Sequence, residues 1–414
     1  MKRLTMIGAA VLSAALLLTA CGDTAQKSTA TDTSAVSEAV SKAPETPEKF
    51  QAAMVSRSLY SLGNTSRLKA KLRQAQSGED MTVAYIGGSI TRGETAGAEG
   101  CYAKLSYNYI AEKYGTCDNV KYVNAGVSGT PSVLGNLRLQ KDVLDYNADI
   151  VFVEFAVNDA QDNTHKESYE SLVRTVLTQE NDPAVVLIFN RTANGYTAQE
   201  YMKEIGDYYS LPMISVADAL TPEFDEGRMT WEDYSDDQSH PNAEGHKLLC
   251  SFIENLLTEA ENAPDEEYTL PPAYRFGYPF MDSQLVTPEA PTAELISLTD
   301  TGSFEAVEQG ATDFPTSWKL SEGTDPLKFK ATASSVFLLF KRNNSDTMGS
   351  FEVYINGAKV KTIQKDGWNE PYSELAIKFQ TIKDMDIEIR PAEGSEDKNI
   401  TILGVAVAAQ ESTQ

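Results

Sequence analysis

Basic side chains are in deficit: 35 Lys and Arg stand against 60 Asp and Glu over 414 residues, a formal net charge of −25. Nucleic-acid phosphates need a basic footprint, so nucleic acid is excluded as a partner, and anionic surfaces are disfavoured. Cysteine is scarce too, with four in the whole chain, which rules out a disulfide-built scaffold. Cys101 and Cys117 flank a predicted helix over 102–114. Such a helix is roughly 20 Å long, whereas bridged Cα atoms lie within about 7 Å, so Cys101, Cys117 and Cys250 read as buried free thiols. The three histidines, His165, His240 and His246, are scattered and join no Cys cluster with metal-ligand spacing. No metal and no cofactor is implied. Long apolar runs are missing beyond the first 20 residues, so no interior segment reads as a membrane span. What is present is an ordinary globular composition, 41% hydrophobic and 23% charged, in a chain long enough for two domains.

The N-terminus reads as a targeting segment. Lys2 and Arg3 precede the apolar run Met6–Leu18, which closes in Leu18-Thr19-Ala20-Cys21. That tetrapeptide resembles the bacterial lipobox, which implies a signal peptide over 1–20 and lipidation of Cys21. The protein is then expected outside the cytoplasm, held to the membrane by its lipid alone. Ser, Thr, Ala and Glu dominate the next stretch without apolar periodicity, so 21–49 is expected to be a flexible tether.

From residue 50 the pattern becomes regular. Phe50–Gln76 looks helical. Apolar strands are expected at 81–86, 120–124, 149–155, 184–189 and 213–216, each followed by a helical stretch. Continuous apolar strands alternating with helices imply a parallel sheet covered on both faces, a three-layer α/β/α domain over 50–264. Within it Glu170 and Arg174 read as a surface i,i+4 pair. Prolines 271, 272, 279, 288 and 291 mark an extended connector over 265–301. Short strands follow, including Phe351–Ile355 and Ala358–Ile363 joined by Asn356-Gly357, a type I′ hairpin signal. Helix-free spacing of this kind predicts a β-sandwich over 302–410.

Four segments of the α/β domain carry chemistry. Gly87-Gly88-Ser89-Ile90-Thr91 follows the first strand, and a Ser on a tight strand-to-helix turn exposes its Oγ. A phosphate loop is excluded because Glu94-Thr95 stands where Lys-Ser/Thr is needed. Asn124-Ala125-Gly126-Val127-Ser128-Gly129 follows the second strand, and Val157-Asn158-Asp159 the third. Asp236 to Asn242 holds His240 three residues after Asp237, just before the last helix. Alone, each reads as a turn or cap. Together, the first three lie at carboxyl ends of strands, where open α/β sheets place their sites.

In order and spacing these segments resemble the blocks of the SGNH (GDSL-type) hydrolase superfamily, whose domain is flavodoxin-like. The resemblance implies Ser89 as nucleophile, His240 as base and Asp237 as its orienter. Ser89 and Gly129 would give backbone N–H groups, and Asn158 its amide, to the oxyanion. The usual Asp before the Ser is Gly88 here, as in a Gly-Gly-Ser-Ile-Thr subgroup similar to bacterial carbohydrate esterases with a β-sandwich appendage. An acylated carbohydrate is then the expected substrate, with small acyl groups removed as by an acetylesterase. A lipolytic esterase and a non-catalytic surface lipoprotein are the alternatives. Trp231, Tyr234 and His165 are candidate substrate contacts, Trp318 and Trp368 candidate sugar platforms in the β domain, and His246 is expected to be structural.

Overall fold

The structure, a computed structural model, describes residues 47–410 apart from 312, 366, 368 and 369. The signal peptide, Cys21, most of the tether and Trp368 lie outside the described residues.

A six-stranded sheet forms the first part: β1 (Leu59–Ser61), β2 (Met81–Gly87), β3 (Val120–Gly126), β4 (Ile150–Glu154), β5 (Ala184–Phe189) and β6 (Met213–Ser215), in spatial order β1-β6-β5-β4-β2-β3. β2 to β6 pair in parallel, and β1 joins the edge antiparallel to β6. This edge strand departs from the expectation of one continuous helical stretch before residue 76: it separates helices Pro47–Ser58 and Ser66–Gln76.

Strand alternation explains the three layers. Val83, Tyr85, Ile150, Phe152 and Val186 point to one face, where Tyr102, Ile110, Phe252 and Leu256 from the helices cover them. Ala84, Ile86, Val151, Val153 and Leu187 point to the other, under Leu172, Val176 and Ile205. Every residue of β4 and β5 is buried, as a parallel sheet sandwiched between helices requires.

The C-terminal part is one antiparallel sheet of nine strands: β7 (Gln284–Val286), β8 (Ile296–Asp300), β9 (Glu305–Val307), β10 (Ser317–Leu320), β11 (Leu327–Arg342), β12 (Phe351–Ile355), β13 (Ala358–Ile363), β14 (Glu370–Pro391) and β15 (Ile400–Ala408). β7 and β8 arise inside the stretch expected to be connector. The expected hairpin is present as β12–β13, with Asn356 at φ +51° and Gly357 at φ +79°. β11 and β14 run the length of the sheet, and their register breaks between Ala333 and Ser335. Before the break β11 also pairs with β8, after it with β15, so the sheet turns around its own core. Trp318 is 1% exposed in that core, edge-on to Phe329, and cannot serve as the sugar platform considered from sequence.

The two parts belong to one compact unit. Val133, Leu134 and Leu137, from the short helix Ser132–Leu137, share a buried cluster with Phe280, Phe337, Leu339, Leu403 and Ala406. Arg92–Asp313 and Lys378–Glu167 ion pairs flank it, each with an N–O distance of 2.6 Å. Glu170 and Arg174 are buried rather than a surface pair. Glu170 accepts the N–H groups of Arg275, Phe276 and Gly277, and Arg174 donates to the carbonyls of Pro271 and Ala273, so both fasten the connector. Cysteines 101 and 250 are buried free thiols as expected, but Cys117 is exposed. No helix among the described residues is long and apolar enough to cross a membrane.

Candidate active site

β2 ends in Gly87, and a single helical turn, Ser89–Arg92, begins directly after Gly88. Ser89 heads that turn at the carboxyl edge of the sheet. Gly88 makes room for a contact there: a Cβ on it would lie 2.4 Å from Asn158 Oδ1 and would displace that side chain. The residue that departs from the usual family pattern is therefore the one that lets the Asn158 amide lie against the serine turn. On the other side, Asn124 Nδ2 donates to the Thr91 carbonyl (2.9 Å) and holds the end of β3 to the same turn.

His240 comes from the loop before helix Ala243–Asn262, whose N-terminus Asn242 caps by accepting the N–H groups of Glu244 and Gly245. The His240 ring spans the site. Its Nε2 lies 2.8 Å from Ser89 Oγ and its Nδ1 2.7 Å from Asp237 Oδ2. Asp237 Oδ1 accepts the N–H groups of Ser239 and His240, both at 2.7 Å. Burial pushes the Asp237 carboxyl up, but those N–H groups and the imidazole outweigh it and hold it below its ordinary range. An ionised Asp237 fixes the proton on Nδ1 and leaves the Nε2 lone pair facing Ser89. The three side chains that the sequence singled out separately meet in one relay.

Beneath the loop, buried Ser235 donates to the His240 carbonyl (2.6 Å) and accepts from the Asp237 N–H (3.3 Å). Trp231 Nε1 donates to the Asp237 carbonyl at 2.5 Å, so this indole braces the loop. Tyr234 is fully buried, with its hydroxyl donating to Asn190 Oδ1 at 2.9 Å. It cannot stack on substrate, which corrects the sequence-based expectation. His165 heads helix Asn163–Leu177 with Nδ1 2.9 Å from Asp162, and no hydrogen bond joins it to Ser89, Asn158 or His240. His246 is structural: buried, it accepts the Tyr102 N–H on Nδ1 at 3.0 Å, and burial, then the His240 charge, push it down to about 4.

Three donors at the carboxyl edge are free. Among the described residues no acceptor is present for the N–H of Ser89, the N–H of Gly129 or Nδ2 of Asn158. Gly129 sits at φ +72°, a conformation that glycine adopts without strain. Two buried acids were missed by sequence reasoning. Asp159, next to Asn158, accepts the Ser132 N–H (2.6 Å) and the Tyr201 hydroxyl (2.7 Å), and burial pushes it up to about 6. Glu154 ends β4, fully buried and pushed up to about 7. A lone carboxylate inside the apolar run 150–156 was the signal available for it. No group of three or more His, Cys, Asp or Glu among the described residues could hold a metal ion.

An open α/β sheet with a Ser-His-Asp relay at its carboxyl edge defines a serine-hydrolase architecture. Residues 85–248 match the family model of the GDSL-like Lipase/Acylhydrolase family, and this part of the chain is similar to that family. A crystal structure of a two-domain esterase active on acetylated mannans is 24% identical, with a TM-score of 0.75 over 87% of this chain and 99% of that one. The same esterase co-crystallised with mannopentaose gives the same values. The likeness extends the shared fold through the C-terminal sheet. Comparison with curated proteins finds no significant match.

Proposed function

We propose that the protein is a serine esterase that removes O-acetyl or similarly small acyl groups from carbohydrate. The carrying observation is the continuous Ser89–His240–Asp237 relay beside three unclaimed donors. Ser89 Oγ attacks the ester carbonyl as His240 Nε2 takes its proton, and Asp237 stabilises the imidazolium. The resulting oxyanion is received by the Ser89 and Gly129 N–H groups and by the Asn158 amide, which Gly88 admits beside the serine turn. The carbon–oxygen bond to the sugar breaks, His240 returns the proton to the leaving hydroxyl, and an acyl-Ser89 ester remains. Water, deprotonated by His240, then releases the acid.

Carbohydrate is supported by the activity of the two-domain esterase on acetylated mannans, and by an acidic surface that tolerates neutral glycans. The test is acetate release from acetylated mannan, xylan, pectin and peptidoglycan beside nitrophenyl esters of increasing acyl length. Activity falling beyond acetyl supports the reading, and rates rising with chain length replace it by a lipolytic one. The reading includes export and lipidation at Cys21, on the strength of the Leu18-Thr19-Ala20-Cys21 motif. Loss of metabolic palmitate label in a Cys21→Ser variant is the expected result.

A further inference from the structure

The mechanism above does not use Glu154, yet its carboxyl sits at a crossing. Glu154 is 0% exposed and lies four residues before Asn158 on the same chain segment. Its Oε2 accepts from Thr91 Oγ1 at 3.3 Å, and Thr91 is two residues after Ser89 in the serine turn. Thr91 Oγ1 also meets the Tyr102 hydroxyl at 2.9 Å. On its other side the carboxyl faces the amide of Asn190, whose Oδ1 accepts from Tyr234 at 2.9 Å. Tyr234 opens the loop that carries Asp237 and His240. All five of these side chains are fully buried. The serine turn thus reaches this carboxyl through Thr91, the carboxyl itself stands on the segment that leads to Asn158, and the histidine loop approaches it by way of Tyr234 and Asn190.

We propose that Glu154 is a positioning residue for the catalytic site, tying the serine turn to the histidine loop through Thr91 on one side and Asn190 with Tyr234 on the other. The inference rests on the esterase reading for its kinetic test, though not for its structural one. A buried polar group without partners is costly, so the carboxyl is retained here against a penalty. Among the described residues no cation faces it: the titratable groups around it are Asp159, Tyr102, Tyr169 and Tyr234. Oε1 is buried without a hydrogen bond, and so is Asn190 Nδ2, so on this side the carboxyl and the amide are neighbours rather than a formed hydrogen bond. A glutamine keeps the shape of this side chain and one accepting oxygen, which is enough for the Thr91 link.

The experiment compares Glu154→Gln, Glu154→Ala and Thr91→Val with wild type on nitrophenyl acetate. Glu154→Ala is expected to lower kcat about 10–100-fold, the range that small misplacement costs, with KM within about twofold. Glu154→Gln is expected to restore kcat to within about threefold of wild type. If the alanine variant fails to fold, Thr91→Val, which removes only the hydroxyl link, carries the test with the same kcat loss and unchanged KM. A fall in melting temperature with kcat intact in these variants overturns the proposal, and so does a Glu154→Gln variant as slow as Glu154→Ala. NMR of the three histidine rings reads the same question without turnover. His240 signals are expected to shift in Glu154→Ala or Thr91→Val and to return in Glu154→Gln. Unmoved His240 signals overturn the positioning role, whereas a wild type that cleaves no ester while its signals respond as expected overturns only the esterase reading.

Discussion

The two parts of the molecule bury different things. Among the described residues of the C-terminal part the buried polar residues are hydroxyls alone: Ser317, Ser334, Ser335, Ser373, Ser395 and Thr401. Its core is otherwise Trp318, Phe329, Leu338, Ile387, Val405 and similar side chains. The α/β part buries Lys71 against Asp149, Arg138 against Asp142 and the Gly87 carbonyl, and Glu154 and Asp159 with no cation at hydrogen-bonding distance. Buried charge is weak evidence for stability, because desolvation offsets the attraction. Lys71–Asp149 stands where β4 begins, but Arg138, Glu154 and Asp159 gather at the carboxyl edge, where buried charge marks loops that must hold a fixed geometry. The sheet is built for packing, and the α/β part accepts a less stable interior to hold side chains still.

The largest effect should separate activity from stability. Ser89→Ala or His240→Ala is expected to lower kcat by roughly 10⁵–10⁶, with the melting temperature within a few degrees of wild type. An organophosphonate should add its mass once, on the peptide carrying Ser89. Activity retained in a folded Ser89→Ala variant removes the nucleophile and the comparison with it.

Next is the seam between the parts. Phe337 meets Phe280 edge-on at 4.8 Å within the cluster shared with Val133, Leu134 and Leu137. Phe337→Ala should cost about 3–5 kcal/mol, and wild type and variant should each unfold in one transition. Two separate calorimetric transitions would show that the parts are independent and that the seam is only a contact. The helix on this seam, Ser132–Leu137, is the one whose first N–H is held by Asp159, so packing of the sheet reaches the Asn158 loop.

Much of this was legible in the residues. Apolar runs at strand length announced the parallel sheet, and four motifs in family order announced the relay. What stayed hidden depends on distances across the fold. Nothing local says that Gly88 is empty to admit Asn158, or that Tyr234 points inward to Asn190 rather than outward to a ligand. Trp318 alternates with polar neighbours like any half-exposed strand residue, and only the turning of the sheet buries it. Glu170 and Arg174 have the spacing of a surface pair, but a connector about 100 residues later in the chain docks on both.

A smaller effect is expected from the oxyanion side. Asn158→Ala removes one donor and should lower kcat by about 10²–10³ with little change in KM. Gly88→Ala tests the same amide from behind, since its Cβ must displace Asn158 Oδ1 from 2.4 Å. Its kcat should fall in the same direction and its combination with Asn158→Ala should add little, as expected of two changes acting on one group. Full additivity would mean that Gly88 serves the turn alone.

The smallest effect, and the one that reads the buried acids directly, is on stability against pH. Glu154 rises from 4.5 in the unfolded chain to about 7 in the fold because burial disfavours its anion. A group raised in this way contributes stability that is complete below 4.5 and is lost as pH rises through 7. Asp159, raised to about 6, acts in the same direction, whereas His246, pushed down to about 4, costs stability as pH falls below its unfolded value. Glu154→Gln leaves those two groups in place and removes only the first. The difference in unfolding free energy between variant and wild type should therefore shift in the variant's favour from pH 4.5 to pH 8, by at most about 3 kcal/mol, the equivalent of the shift in full. Denaturant melts of the pair at four or five pH values measure it. A flat difference would mean that Glu154 is already ionised and partnered at neutral pH, and that the contrast between a charged interior and a hydroxyl-only one carries no energetic weight at this residue.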